Sequence, residues 1–492
     1  MSLQAHVFEP VHLLLHEVDP DHALAPCGLK RLILGKNAIT CVADTVDELL
    51  RETGRDTAVS GRPRVALLVD RTRILRAGAD VKDLVEDQLR QRFDVLRTVL
   101  DDGHTELHVV DKVLDVASEA AKGVDVVVAV GGGTISDIAK IATQRAGTDS
   151  RRPVLVSVQT AASVDGYTDD VSVVLRGGVK RTVPSCWPDG VVADAETIAE
   201  APAAMNRAGF GEMTSMLVAP ADWRLASLVG TDDTFHRGPI RLLEVVGADI
   251  DTWSAGVKHG DPEAVSGLTR ALALRGVATG VAGTTAVLSG MEHLISHMLD
   301  QYHAERHLPM GLHGAQVGAA SVVAAAAWEM LFERIAASAA PVRLDEAALD
   351  PDRARARVTA AFGFVDPTGR IAEECWHDYS AKLEAVAGLQ DGIGGVLADW
   401  ATHAVELRGL VRPSISIANG LRAAGAAATF AELDPGADPG LARWAVANCA
   451  LMRNRFTVVD MLTLLGWWGA DDVDDVLKRA HLAVCAADEG GQ

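Results

Sequence analysis

Five of the chain's 16 histidines, His293, His297, His303, His307 and His313, fall between residues 293 and 313. In SGMEHLISHML, His293 and His297 are four residues apart, so a helix would set both imidazoles on one face. Neutral imidazole is a common ligand of divalent transition metals, and two or three such rings plus a carboxylate leave a coordination position open for substrate. Any one of these histidines is better explained by an ordinary exposed or hydrogen-bonded side chain; their clustering is what favours a metal. A zinc protease would need Glu directly after the first His. Here Leu294 follows His293 and Glu292 precedes it, which sets that class aside. The carboxylate must come from elsewhere, and GFGEM (Gly209–Met213) offers Glu212. An acid among apolar neighbours is costly unless paired or bound to a cation, although a helix N-terminus would also account for it.

A second chemical signal is the run Val124–Val130 followed by Gly131, Gly132, Gly133 and Thr134 and then ISDIAKIATQ. It reads as a buried strand entering a helix whose first turn is Thr134–Asp137. Three glycines admit a ligand to the backbone, and the N–H groups of a helix start attract an anion, so this turn is a candidate phosphate cradle. It matches neither GxGxxG nor GxxxxGK[ST]. A plain strand-to-helix turn is the other reading. After the next strand, QTAASVDGYTDD supplies Gln159, Thr160, Ser163, Asp165, Gly166 and Tyr167. Both turns should lie beyond the carboxyl ends of parallel strands, where ligands bind in open sheets. Asp70, ending RVALLVD, is placed either to accept an adenosine ribose and disfavour a 2′-phosphate or to cap a turn.

The elements that must position these residues divide the chain. From about Leu29 to Val192, β-branched runs alternate with amphipathic stretches, the pattern of a parallel α/β domain. Arg64–Asp70, Glu106–Val110, Val124–Val130 and Pro153–Val158 are predicted strands; Leu84–Leu100 and Val113–Lys122 are predicted helices. From about Ala195 the segments are Ala/Leu-rich with helical period. The expected organisation is an N-terminal extension over 1–27, a dinucleotide-binding domain over 28–195 and an α-helical metal- and substrate-binding domain over 196–492, with a cleft between two lobes. Ala340–Pro351 reads as a loop inside the helical half. Two uncharged stretches, Gly276–Met291 and Gly314–Trp328, are too short to span a bilayer and read as buried helices.

The 492 residues carry 46 Lys+Arg against 67 Asp+Glu, a net charge of −21. Phosphate neutralisation needs the opposite sign, so nucleic acid is an unexpected partner. The first residues lack the features of a signal peptide. Six scattered cysteines without a CxxC pair argue against a disulfide scaffold, and a reducing cytoplasm is the expected location.

Together these stretches resemble the metal-dependent polyol dehydrogenase and dehydroquinate synthase superfamily and, within it, the sn-glycerol-1-phosphate dehydrogenase family. The similar segments are GGGTISDIAK (Gly131–Lys140), QTAASVDGYTDD, KRTVP (Lys180–Pro184), AGFGEM (Ala208–Met213), ADWRL (Ala221–Leu225), SGMEHLISH (Ser289–His297), LHGAQVG (Leu312–Gly318) and RNRFTVVDML (Arg453–Leu462). The resemblance implies a Rossmann-like nucleotide-binding lobe and an all-α lobe, in a dehydroquinate synthase-like architecture. It implies a divalent metal on Glu212, His293 and His313, with His297 beside it as a proton-handling or phosphate-contacting residue. It places NAD contacts on Asp70, Gly132, Gly133, Thr134, Asp137, Thr160 and Ser163, with NADP as an alternative, and puts Asp165 near nicotinamide and substrate. Zn²⁺ is the leading ion and Ni²⁺ or Fe²⁺ the alternatives.

Three positions depart from the family pattern: Glu212 where glycerol-1-phosphate dehydrogenases look to have Asp, Met216 where a second His or a Lys is usual, and Gln316 where a Lys often follows the HG. The implied activity is hydride transfer between NAD(P)H and a small phosphorylated ketone, such as dihydroxyacetone phosphate giving sn-glycerol 1-phosphate, by a homo-oligomer. Lys180, Arg181 and Arg306 are candidate phosphate contacts on charge alone. The rival readings are a sugar-phosphate cyclase similar to dehydroquinate synthase and a non-catalytic NAD- or metal-binding relative.

Overall fold

A computed structural model describes residues 7–8, 11–54, 61–147, 151–176, 179–247 and 249–490. The chain forms two compact units. The first takes the chain through Gly209 and also Gly238–Gly283; the second takes Phe210–Arg237 and the chain from Thr284. Residues 238–283 therefore lie with the first unit, although they follow the domain boundary expected near residue 195.

The first unit holds strands β1 (Val7–Phe8), β2 (Arg31–Gly35), β3 (Arg64–Val69), β4 (Leu75–Arg76), β5 (Ala79–Asp80), β6 (Asp94–Val99), β7 (Val126–Gly131), β8 (Val154–Gln159), β9 (Val171–Arg176), β10 (Val179–Pro184) and β11 (Gly190–Asp194). Seven of them make one sheet in the order β1-β2-β11-β8-β7-β3-β6. All neighbours pair in parallel except β1, which runs antiparallel to β2. Strands β7, β8 and β11 are buried along their whole length, as continuous Val-rich runs must be when both faces are covered. Alternation then sorts the side chains. Val65, Leu67, Val128 and Val156 pack with Val46, Leu49, Val85 and Leu89 of the helices Val42–Glu52 and Val81–Arg90. Ala66, Leu68, Val127 and Leu155 face the opposite way, onto Val113, Ala117, Ile135 and Ile138 of the helices Asp111–Ala121 and Gly133–Ala146.

The described residues of the second unit contain helices and no strand. The helix His313–Ala337 is long and apolar enough to cross a membrane by length and composition, and its apolar stretch is almost wholly buried in the protein. The α/β lobe and the helical C-terminal region are those expected from the sequence.

Three local expectations are corrected. Leu84–Leu100 is not one helix. The helical hydrogen bonding ends with Phe93 N donating to Leu89 O, and Asp94–Val99 then pairs with β3 as the sheet's edge strand. Glu106–Val110 is not a strand. His108 N donates to Asp102 Oδ2 and Val110 N to His108 O, a single bond from Leu175 N to Val109 O reaches it from β9, and Val110 precedes a helix. Gly276–Met291 is not one buried helix: the helix Pro262–Ala282 stops at Gly283, which has φ +65°, and a new helix starts at Met291.

Candidate metal centre and nucleotide-binding turn

Glu212 sits near the end of the helix Ala203–Met213, and His313 opens the helix His313–Ala337. Their approach is set by glycine. A Cβ at Gly211 would fall 2.2 Å from Gly314 O and 3.3 Å from the Cα of Gly318, so this pair of helices meets backbone to backbone. His293 lies in the first turn of the helix Met291–Glu305. One donor atom from each of Glu212, His293 and His313 lies within 4.8 Å of the others. His293 Nε2 is 3.3 Å from Glu212 Oε1, and His313 Nε2 is 3.7 Å from Glu212 Oε2. Bonds of roughly 2.0–2.2 Å to one ion would draw these atoms only slightly inward. Two Nε2 atoms and a buried carboxylate therefore fit a divalent transition metal.

The other ring nitrogens are occupied. His293 Nδ1 lies 2.8 Å from Oε1 of Glu292, a side chain with 0% exposure whose Oε1 also accepts Gly290 N. His313 Nδ1 lies 3.0 Å from Ser296 Oγ. Burial lowers the pKa of His293, but Glu212 and Glu292 outweigh it and bring it to about 9. His297, one turn beyond His293, is half-buried; its ring stacks on that of His313, with centroids 5.9 Å apart.

The start of the histidine helix is braced by segments that the sequence marked only by resemblance. Gly290 supplies no side-chain cap. Instead Asp222 Oδ2 accepts Met291 N, while Asp222 Oδ1 accepts Val458 N at the start of the helix Val458–Leu464. Burial, then the nearby charge of Glu292, pushes the Asp222 carboxyl up to about 8. Arg455 donates to Ser289 O, Ser289 Oγ and Thr285 Oγ1. Thus ADWRL, SGMEH and RNRFTVV meet around one helix start. Sequence reasoning missed the supporting roles of Asp222, Glu292, Ser296, Gln316 and Arg455; their presence in those segments was the available signal.

In the first unit, β3, β7 and β8 are neighbours, with Val69 level with Val130 and Gly131 level with Gln159. Asp70, Gly132 and Thr160 therefore leave three adjacent strands at the same sheet edge. The three glycines differ in what fixes them. A Cβ at Gly131 would meet Ile135 at 2.8 Å and one at Gly133 would meet Val164 Cγ2 at 2.8 Å, whereas at Gly132 nothing lies within 4 Å. Gly132 also caps the helix Gly133–Ala146 without a side chain, leaving room for an anion at the N-terminus.

Other expected nucleotide contacts already have partners within the unit. Lys82, itself buried, donates to Asp70 Oδ1, and Thr72 N donates to the same oxygen. Asp137 Oδ2 accepts Val173 N. Thr134 is half-buried, and Thr160 and Ser163 are buried. Asp165 Oδ2 is held by Arg275 Nη2 at 3.1 Å, and a Cβ at Gly276 would lie 2.4 Å from Asp165 O.

Not every candidate joins the centre. His303 lies ten residues beyond His293 on the same helix, about 15 Å along its axis, against Tyr302. Arg306 stacks 3.9 Å over the Tyr302 ring and donates to Phe364 O, which commits it to local structure. Arg181 is half-buried on β10, and the Lys180 side chain lies outside the described residues. Met216 is buried.

The architecture is that of the metal-dependent dehydrogenases. Across 94% of this chain and 99% of its own, the structure of a probable glycerol dehydrogenase from Sinorhizobium meliloti is similar, with a TM-score of 0.56 at 16% identity. The glycerol dehydrogenase of Schizosaccharomyces pombe gives 0.53 at 14% identity, over 94% of this chain and 91% of its own. Residues 40–202 match the model of the iron-containing alcohol dehydrogenases. A glycerol-1-phosphate dehydrogenase [NAD(P)+] from Natronomonas pharaonis is 30% identical over 73% of this chain and 97% of its own length; one from Halorubrum lacusprofundi is 32% identical over 57% and 78%. The chain belongs to the iron-containing alcohol dehydrogenase family and, within it, to the glycerol-1-phosphate dehydrogenase family. It is a dehydrogenase of a family that uses NAD(P) and a divalent metal.

Proposed function

We propose that this dehydrogenase interconverts a small phosphorylated ketone and its secondary alcohol, with dihydroxyacetone phosphate and sn-glycerol 1-phosphate as the leading pair. The observation that carries the reading is the convergence of Glu212, His293 and His313, in a chain that also has an open glycine, Gly132, at a strand-to-helix turn. Glu212, His293 and His313 would hold the ion; Zn²⁺, Ni²⁺ and Fe²⁺ all suit this donor set. Bound, the ion supplies Lewis-acid polarisation of a carbonyl, worth several kcal/mol, and the nicotinamide supplies the hydride. Gly132, Gly133 and Thr134 bind the nucleotide's phosphates at the helix start, with Asp70, Asp137, Thr160 and Ser163 as further contacts. His297 holds and passes the proton at the alcohol oxygen, directly or through water. Asp165, held by Arg275, is a further polar group assigned to nicotinamide and substrate.

The test is a substrate panel headed by dihydroxyacetone phosphate, run with NADH and with NADPH on the metal-loaded protein. The expected result is stoichiometric nucleotide oxidation, lost in His293→Ala. Carbocycle formation without net nucleotide oxidation would instead assign a cyclase, and turnover of unphosphorylated ketones alone would remove the phosphate from the reading.

A further inference from the structure

The two imidazoles of the proposed centre are oriented by different means. His293 faces a carboxylate, Glu292, which can only accept, so its Nδ1 carries hydrogen and Nε2 points to Glu212. His313 faces a hydroxyl, which can donate or accept, so its tautomer must be decided further away.

Gln316 decides it. Its Nε2 donates to Met310 O at 3.0 Å and to Asp300 Oδ1 at 3.3 Å, and both of those atoms are acceptors. The amide orientation is therefore fixed, and Oε1 is the atom turned to Ser296, 2.7 Å from its Oγ. An amide oxygen cannot donate, so the single hydroxyl hydrogen of Ser296 goes to Gln316. Ser296 Oγ is left to accept, and the group 3.0 Å away on its other side is His313 Nδ1. Nδ1 must then be the protonated nitrogen, and the Nε2 lone pair faces Glu212. Ser296 is 0% and Gln316 2% exposed, so water does not compete for these bonds.

We propose that Gln316, acting through Ser296, is the positioning residue that sets the His313 tautomer for metal ligation. The inference rests on the metal-centre reading above. It also gives a physical use to one departure from the family pattern.

Long-range ¹H–¹⁵N correlation on metal-free, ¹⁵N-histidine-labelled protein reads the tautomer of each ring, and titration with Zn²⁺ against a chromophoric chelator reads affinity. In the wild type His313 is expected as the Nδ1–H form. In Gln316→Met, close in shape but without an acceptor, it should move to Nε2–H, and Zn²⁺ affinity should fall by about 10- to 100-fold. Ser296→Ala should weaken Zn²⁺ to a similar degree, and Ser296→Thr, which keeps the hydroxyl, should restore it. His293 should be unchanged throughout. An Nε2–H His313 in the wild type, or the same tautomer and affinity in Gln316→Met, would overturn the proposal. Failure of the wild type to bind Zn²⁺ would instead overturn the metal-centre reading, and the tautomer signals would still decide the role of Gln316.

Discussion

Gly211 and Gly314 meet so closely that a methyl on the first would lie 2.2 Å from the carbonyl oxygen of the second. This contact delivers Glu212, the next residue, to the imidazole of His313. Gly211→Ala should force the two helices apart, costing about 1–3 kcal/mol of stability by overpacking. It should also lower metal content, because the carboxylate moves with its helix. Urea unfolding and elemental analysis on the same preparation check both, and an unchanged metal stoichiometry would break the link.

Gly132 gives the contrasting case. Its φ of −77° suits alanine, and a Cβ there meets nothing within 4 Å. Gly132→Ala should leave stability unchanged or raise it by about 0.4–1 kcal/mol. The methyl would occupy space assigned to a nucleotide phosphate, so the Kd for NADH should rise roughly tenfold to a hundredfold. Fluorescence titration measures it; unaltered affinity would remove the turn from the nucleotide site.

The ligand set separates from its neighbour. Glu212→Ala, His293→Ala and His313→Ala should each lose the ion, whereas His297→Ala should keep it and lose about 10²- to 10⁴-fold in kcat. If His297→Ala also loses metal, that imidazole is a ligand and its proton role fails.

Asp222 joins two helix starts through Met291 N and Val458 N. Removing it strands two buried donors, at about 1–3 kcal/mol each. Asp222→Ala should thus lower the urea midpoint markedly and loosen His293, seen as weaker metal binding. Loss of neither would mean that these N–H groups find other partners.

Burial pushes the Asp169 carboxyl up to about 7, even though Lys140 Nζ, 2.6 Å away, pulls it down. Its unfolded value is near 3.9. Between about pH 4 and pH 7 the folded chain keeps a proton that the unfolded chain has released. This group's contribution to stability is therefore full below that window and falls as pH rises through it. Asp169→Asn should remove that slope, and its difference in stability from the wild type should shift steadily across the window. Parallel urea profiles for the two proteins would contradict the assignment.

Much of this was legible from residue order. Buried parallel strands need apolar side chains on both faces, so Val126–Gly131 and Val154–Gln159 announce themselves, and the Gly131–Thr134 turn follows from the strand's end. Hydrophobic period failed at the sheet edge: Asp94–Val99 has one face exposed and continues the apolar spacing of the preceding helix, so only pairing with β3 distinguishes it. Motif resemblance brought Glu212, His293 and His313 together, residues that local period alone cannot relate.

What the sequence determined by itself is the chemistry on offer: imidazoles, an isolated acid and an open glycine turn, each carried by local covalent order. Tertiary structure alone decided which nitrogen of each histidine is held and which faces Glu212. That choice depends on hydrogen bonds between groups distant in the chain, such as Gln316 with Met310 and Ser296, and a hydrogen bond exists only where packing sets donor and acceptor about 3 Å apart.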